Sequence, residues 1–99
     1  MSTVVIPDAL RARFFERLAE RVVTLQATVA AFDDGLEARD SLERQLHSLA
    51  GIAGTYGFGG LTDLARDGEL RCGAGAELAE LRSVVEAIAE AAARTNSKQ

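Results

Sequence analysis

Apolar residues recur at steps of three and four along most of the chain, which is the spacing of one face of an α-helix. Pro7 and Asp8 suit the first turn of the first such helix, because a missing amide hydrogen costs nothing there and an acid meets the positive helix end. Asp33, Asp34 and Gly35 stop the same helix. Its apolar stripe consists of Leu10, Phe14, Leu18, Val22, Leu25, Val29 and Phe32.

Three further helices follow from the same periodicity. The second begins near position 37 or near position 40, where capping residues stand, and ends at the glycine cluster 57–60. A shorter third helix runs from about position 61 to about position 71, with Gly68 as an internal weak point because glycine is a poor helix former. A loop bracketed by Gly73 and Gly75 leads to the fourth helix, and we expect the tail 95–99 to fray. The inward residues of these three helices are Leu42, Leu46, Leu49, Ala53 and Tyr56, then Leu61, Leu64 and Ala65, then Leu78, Leu81, Val85, Ile88 and Ala92.

The pattern predicts an all-α fold, because only the segment 3–6 has a β-branched cluster and it is too short for a sheet. Short connections favour antiparallel neighbours, so we predict an up-down four-helix bundle. Residues 7–95 form its single domain, and 1–6 and 96–99 are flexible termini. The heptad-like stripes of the first and last helices would also suit pairing between two chains, but four helices of this length need an internal core, which is the interpretation we prefer.

Composition limits the functions that this bundle can have. The 99 residues are 47% hydrophobic and 26% charged, as in folded globular proteins, and no apolar run approaches the roughly 18 residues of a membrane span. Without a secretory signal at the start we expect a cytoplasmic protein. The net charge of -4, with one lysine, argues against nucleic acid. One cysteine, Cys72, and one histidine cannot form a disulfide or a metal site, and we expect a monomer.

The single histidine, His47, is predicted to lie on the outside of the second helix. At about 100° per residue its ring points about 140° away from the core direction. Gly51 and Gly54 lie on the same side, although each glycine costs about 0.5–1 kcal/mol relative to alanine inside a helix. Because Gly51 faces away from the core, we interpret it as a smooth surface for an external partner. Gly57 lies near the apolar face, and we interpret it as a point of close packing against the neighbouring helix.

Residues 47–57 read HSLAGIAGTYG, and positions 47, 49, 51, 53, 54 and 57 fit the pattern H-x-L-x-G-x-A-G-x-x-G. This pattern resembles the signature of the histidine-containing phosphotransfer (Hpt) domains, with residues 42–65 as the distinctive part. The resemblance implies a bundle whose second long helix carries the phosphoacceptor, here His47. It also implies bacterial two-component signalling, in which the histidine accepts a phosphoryl group from a receiver-domain aspartyl phosphate and passes it to another receiver. Receiver domains and a hybrid histidine kinase are the implied partners.

The residues favour a phosphoryl carrier over an enzyme. A neutral imidazole keeps a lone pair on one ring nitrogen that can attack phosphorus. Transfer also needs charge neutralisation on the phosphoryl oxygens, and the sequence offers no acidic metal cage beside His47. The resemblance implies that the receiver supplies the Asp, the Lys and Mg²⁺, so that this chain binds no cofactor. An acid-base enzyme would need a concave pocket and an orienting carboxylate, which we do not expect on a convex helix face with glycines.

One position departs from the family, in which most members have lysine three residues after the histidine. This chain has Ala50 there. Arg44 would partly replace the lysine, or it is a solvated arginine paired with Asp40. The expected surface for the partner consists of Arg44, Ser48, Ala50, Gly51 and Gly54 around His47. Because the sequence shows no kinase ATP-binding motif and no receiver domain, we expect a free-standing relay component. The alternative is an adaptor bundle that docks receiver or kinase domains without transferring phosphate.

Overall fold

In a computed structural model, the described residues, 8–32 and 35–97, form four α-helices. These are α1 (Asp8–Ala30), α2 (Leu36–Thr55), α3 (Gly59–Gly73) and α4 (Leu78–Ser97). Within the described residues each helix packs against the next, and α4 returns to α1. The connections 56–58 and 74–77 are only three and four residues long, so consecutive helices run antiparallel. The predicted all-α up-down bundle is confirmed.

Several helix boundaries differ from the predicted ones. Helix α2 takes the earlier of its two expected starts, with Gly35 in extended conformation as its N-cap. Helix α3 is two residues longer at each end than the predicted 61–71, and Gly73 belongs to its last turn rather than to a loop. Helix α4 continues through the first three residues of the tail that was expected to fray. The expectations for Pro7, for the stop at Asp33 and Asp34, and for the terminal segments 1–6 and 98–99 lie outside the described residues.

The predicted apolar faces meet in one core. Leu10 is an exception at 44% exposed, because it lies in the first turn of α1, before the buried face begins at Phe14. The stripes of α1 and α4 face this core within the chain, as in the preferred interpretation. The buried apolar residues are Phe14, Leu18, Leu25, Val29, Leu42, Leu46, Leu49, Ala50, Ala53, Leu61, Ala65, Cys72, Leu81, Val84, Val85, Ile88 and Ala92.

The turn between α2 and α3 is built around Gly57. Its φ of 81° lies in the left-handed region, and a Cβ there would meet nothing within 4 Å. The amide of Gly57 donates to the Gly54 carbonyl (3.2 Å) and the amide of Phe58 to the Ala53 carbonyl (2.9 Å), which is a Schellman helix end. The interpretation of Gly57 as a close-packing residue is therefore wrong, since it ends the helix. The rings of Tyr56 and Phe58 stack on Phe14 at centroid distances of 4.6 and 4.9 Å and fix the turn against α1.

At Gly68, helix α3 lies very close to its neighbours. A Cβ built on it would lie 2.7 Å from Val84 Cγ1 and 3.2 Å from Leu46 Cδ1. Gly68 is itself buried in the middle of α3. It is therefore not merely a weak point of the helix, because the missing side chain lets α3 lie against both α2 and α4.

We expect Gly68→Ala to destabilise the bundle by about 1–3 kcal/mol, because the added methyl group pushes against a β-branched side chain that has few alternative rotamers. Chemical denaturation measures this change. The matched control is Gly51→Ala, where a Cβ meets nothing within 4 Å. That variant should gain about 0.5–1 kcal/mol from helix propensity. Equal effects of the two substitutions would contradict the close approach at Gly68.

Candidate functional site

His47 lies on the outer side of α2, directly after a core residue. Leu46 before it is 1% exposed and belongs to the core. The side chain of His47 is 77% exposed. The predicted outward direction of the ring is thus confirmed, and the backbone that carries the ring is held by a packed helix.

A carboxylate from α3 orients the imidazole. Glu69 Oε2 lies 2.9 Å from His47 Nδ1, and the Glu69 side chain is 28% exposed. The contact follows from the packing one residue earlier in each helix, where Gly68 lies against Leu46. An ionised carboxylate only accepts hydrogen bonds, so Nδ1 carries the proton and donates a hydrogen bond to Glu69. The lone pair is then on Nε2, which has no hydrogen-bond partner among the described residues.

The other flank of α2 is held by α1. Arg21 Nη1 donates to Ser48 Oγ at 2.7 Å, next to the histidine. About one turn earlier, Gln45 Nε2 donates to Thr28 Oγ1 at 2.8 Å and to Ser41 Oγ at 3.0 Å. Hydrogen bonds to α1 on one side and the packing of α3 on the other leave α2 little freedom to rotate. The hydroxyl of Ser48, expected at the partner surface, is engaged within the bundle.

Two grooves meet at the histidine. The larger, of about 770 Å³, lies between α2 and α3, and we call it the α2–α3 groove. It is lined by His47, Ala50 and Gly51 from α2, and by Arg66, Glu69 and Leu70 from α3, among others. Leu70 is 74% exposed there. The smaller groove, of about 300 Å³, is lined by Asp40, Glu43, Arg44, His47 and Glu69. The imidazole therefore stands beside open space that is lined by charges of both signs.

The remaining residues of the expected partner surface differ in their exposure. Gly51 and Gly54 are both exposed, and around Gly51 the space is open. Ala50 is only 4% exposed, because α3 covers that flank of α2. Arg44 is exposed, and its Nε donates to the backbone carbonyl of Asp40 at 3.3 Å rather than to the carboxylate.

Sequence reasoning missed Glu69 and Arg66. We expected no orienting carboxylate and no concavity beside His47, and both expectations were wrong, because the neighbouring helix supplies the carboxylate and one wall of the groove. Helical spacing predicts only the neighbours of a residue on its own helix. The available signal was Gly68, since an interior glycine indicates close approach of another element and Glu69 is the next residue.

A comparison with protein families found a match over most of the chain. The family model described as the Hpt domain matches residues 9–97. The chain belongs to the Hpt domain family. Searches among curated proteins and among solved structures found no match. Hpt domains act in histidine phosphotransfer within phosphorelay signalling, where they are carriers that interact with receiver domains and kinases. The family predicted from the motif around His47 is therefore confirmed.

Outside the surroundings of His47, the described residues of this Hpt domain offer no further reactive site. The described residues contain no group of three or more His, Cys, Asp or Glu that could hold a metal ion. Cys72 is buried, and burial raises the pKa of its thiol. Its Sγ donates to the Arg39 carbonyl at 3.3 Å. None of the helices in the described part of the chain has the length and apolar character needed to cross a membrane.

Proposed function

We propose that His47 is the phosphoacceptor of this Hpt domain. In this proposal it takes a phosphoryl group from the aspartyl phosphate of one receiver domain and passes it to another receiver. The observation that carries the proposal is the hydrogen bond from Nδ1 to Glu69, which leaves the lone pair of an exposed ring on Nε2. The open space around Gly51, one turn along α2, leaves room for a receiver to approach that nitrogen.

The transfer step uses Nε2 as the nucleophile. Its lone pair forms a bond to phosphorus while the bond from phosphorus to the aspartyl oxygen breaks, and the aspartate leaves as a carboxylate. The proton stays on Nδ1, so the phosphorylated ring carries a positive charge. The Glu69 carboxylate accepts the Nδ1 hydrogen bond and stabilises that charge, as a carboxylate does for an imidazolium in hydrolase triads. Transfer to the second receiver reverses each of these changes.

The groups that neutralise charge during transfer are assigned to the receiver. A loose phosphoryl transition state needs an in-line arrangement and cations near the equatorial oxygens. In this proposal the receiver supplies its aspartate, its lysine and Mg²⁺, and the Hpt domain supplies a nucleophile fixed on a rigid helix. A fixed nucleophile loses little orientational entropy on docking, which suits a four-helix scaffold.

Incubation with a phosphorylated receiver tests the proposal. We expect the protein to acquire label through an acid-labile, base-stable linkage, which is the behaviour of a phosphorus–nitrogen bond. Nitrogen-15 and phosphorus-31 NMR of the labelled protein should place the phosphorus on Nε2. Phosphorus on Nδ1 would contradict the role of Glu69, and label on another residue type would contradict the proposal itself.

Replacing Glu69 with glutamine should slow transfer about 3- to 10-fold, because the amide stabilises the charged ring less than a carboxylate does at this partly exposed site. Stopped-flow transfer at saturating receiver measures the rate, and titration measures docking, whose Kd should stay unchanged. Glu86→Gln on α4 is the matched control and should transfer at the unaltered rate. A change in docking with an unchanged transfer rate would show that Glu69 contacts the receiver instead.

An adaptor that docks receiver or kinase domains without transferring phosphate is the second candidate. It is favoured by the small, buried side chain of Ala50 and by the carboxylates of Asp40 and Glu43 near the ring, which repel a phosphoryl group. An adaptor would bind a receiver with measurable affinity and acquire no label from its phosphorylated form. The same incubation therefore separates the two functions.

A further inference from the structure

A phosphoryl group on the ring needs a cation to balance its charge. A phosphoryl group on Nε2 adds two negative charges at a site already lined by the carboxylates of Asp40, Glu43 and Glu69. Two arginines line the grooves beside the ring, namely Arg44 on α2 and Arg66 on α3. Their surroundings differ, and this difference indicates which of them faces the phosphoryl group.

Arg44 is turned back along its own helix. Its Nε donates to the Asp40 carbonyl, and it lines the smaller groove, in which three of the five lining residues are acidic. Those carboxylates compete for the guanidinium. Arg44 is therefore placed to balance the negative charges of Asp40 and Glu43 on α2.

Arg66 faces the larger space. It is exposed, and within the described part of the chain no hydrogen bond or ion pair engages its guanidinium. It precedes Glu69 by three residues on α3, so the two side chains are neighbours on one helix face. Glu69 contacts His47, and Arg66 lines the α2–α3 groove together with His47 and Gly51.

We propose that Arg66 binds the phosphoryl oxygens on His47 and is the cation that stabilises the phosphorylated state. This inference rests on the proposed role of His47. A guanidinium presents paired donors in a planar arrangement that matches phosphate oxygens. In this proposal Arg66 on α3 reaches across the α2–α3 groove and takes the place of a cation on α2.

A cation placed on α2 could replace the charge of Arg66 in the α2–α3 groove. Ala50 lines the same groove as Arg66 but from α2, and it is followed by the open position Gly51. A lysine at position 50 would keep its aliphatic stem along the covered flank and bring its ammonium group into the groove. Ala50→Lys should therefore compensate for the loss of Arg66 if both positions serve one phosphoryl group.

The test uses the full chain phosphorylated with phosphoramidate, a small donor that needs no receiver, and follows loss of the phosphoryl group from His47 by phosphorus-31 NMR. We expect Arg66→Ala to shorten the lifetime about two- to fivefold, as for an exposed charged contact, and Arg66→Lys to shorten it less. Adding Ala50→Lys to Arg66→Ala should restore the lifetime. Arg82→Ala, a charge-matched change on α4, should leave it unaltered.

The equilibrium with a phosphorylated receiver should move in the same direction, with the Hpt form disfavoured two- to fivefold in Arg66→Ala. Wild-type lifetime and equilibrium in Arg66→Ala, with the label still on His47, would overturn this inference and leave the proposed function standing. The same effect from Arg44→Ala alone would assign the cation to α2 and also overturn it. Absence of label from His47 in the unmodified protein would instead refute the proposed function.

Discussion

His47→Gln is expected to abolish phosphoryl labelling by a phosphorylated receiver, while the bundle stays folded. The imidazole is 77% exposed, so its loss removes little packing and should change the free energy of unfolding by no more than about 0.5 kcal/mol. Glutamine retains a polar side chain of similar size but has no nitrogen lone pair that can attack phosphorus. Labelling with a phosphorylated receiver measures the first effect, and circular dichroism with thermal unfolding measures the second.

Receiver binding separates loss of chemistry from loss of docking in this variant. The receiver should still bind His47→Gln with a Kd close to that of the unmodified protein, because the backbone of α2 and the groove beside it are unchanged. Label that persists in the variant would show that another side chain accepts the phosphoryl group. A variant that unfolds would show that the ring, with its contact to Glu69, contributes far more to stability than its exposure indicates.

The helix pattern predicted most of the fold because burial follows helical periodicity. The spacing of Leu42, Leu46, Leu49 and Ala53 placed the core face of α2 correctly, and the outward position of His47 followed from the same count. The periodicity of apolar residues shows which side of a helix is apolar, and many residues contribute to that pattern. The predicted core face therefore stays correct when the predicted helix ends are wrong by a few residues.

Features that depend on how helices meet were predicted poorly. The sequence suggests that Gly57 is a packing residue, whereas its left-handed φ ends α2. Helix propensity alone makes Gly68 a weak point of α3, whereas the structure shows that it allows the close packing next to which Glu69 contacts His47. Both roles depend on contacts in three dimensions, which the spacing of residues along one helix does not reveal. The sequence alone does not distinguish a glycine that is needed for its positive φ from one that is needed because it has no side chain.

The surface next to the ring depends on Gly51. It lies one turn after His47 on the same side of α2, it is exposed, and a Cβ built on it meets nothing within 4 Å. Nothing inside the bundle therefore requires a glycine at this position. Since glycine lowers helix stability, an exposed glycine here fits a surface that another molecule must approach closely.

Gly51→Leu is accordingly expected to weaken receiver docking about 10- to 100-fold, as for a side chain forced into a closely packed contact. The same change should raise the stability of the free protein by about 0.5–1 kcal/mol, because leucine is a far better helix former than glycine. Isothermal titration measures the first effect and chemical denaturation the second. Opposite signs for docking and stability are the result that distinguishes a docking surface from a packing position.

A second leucine variant removes the ambiguity of added surface hydrophobicity. Glu86→Leu places the same side chain on the exposed face of α4, a helix that lines neither of the two grooves beside His47. It should leave docking unaltered. If Gly51→Leu destabilises the bundle, the open space around Gly51 is contradicted. If it docks as well as the unmodified protein, the receiver approaches His47 from the side of α1, where Arg21 and Ser48 lie, and the α2–α3 groove faces solvent in the complex.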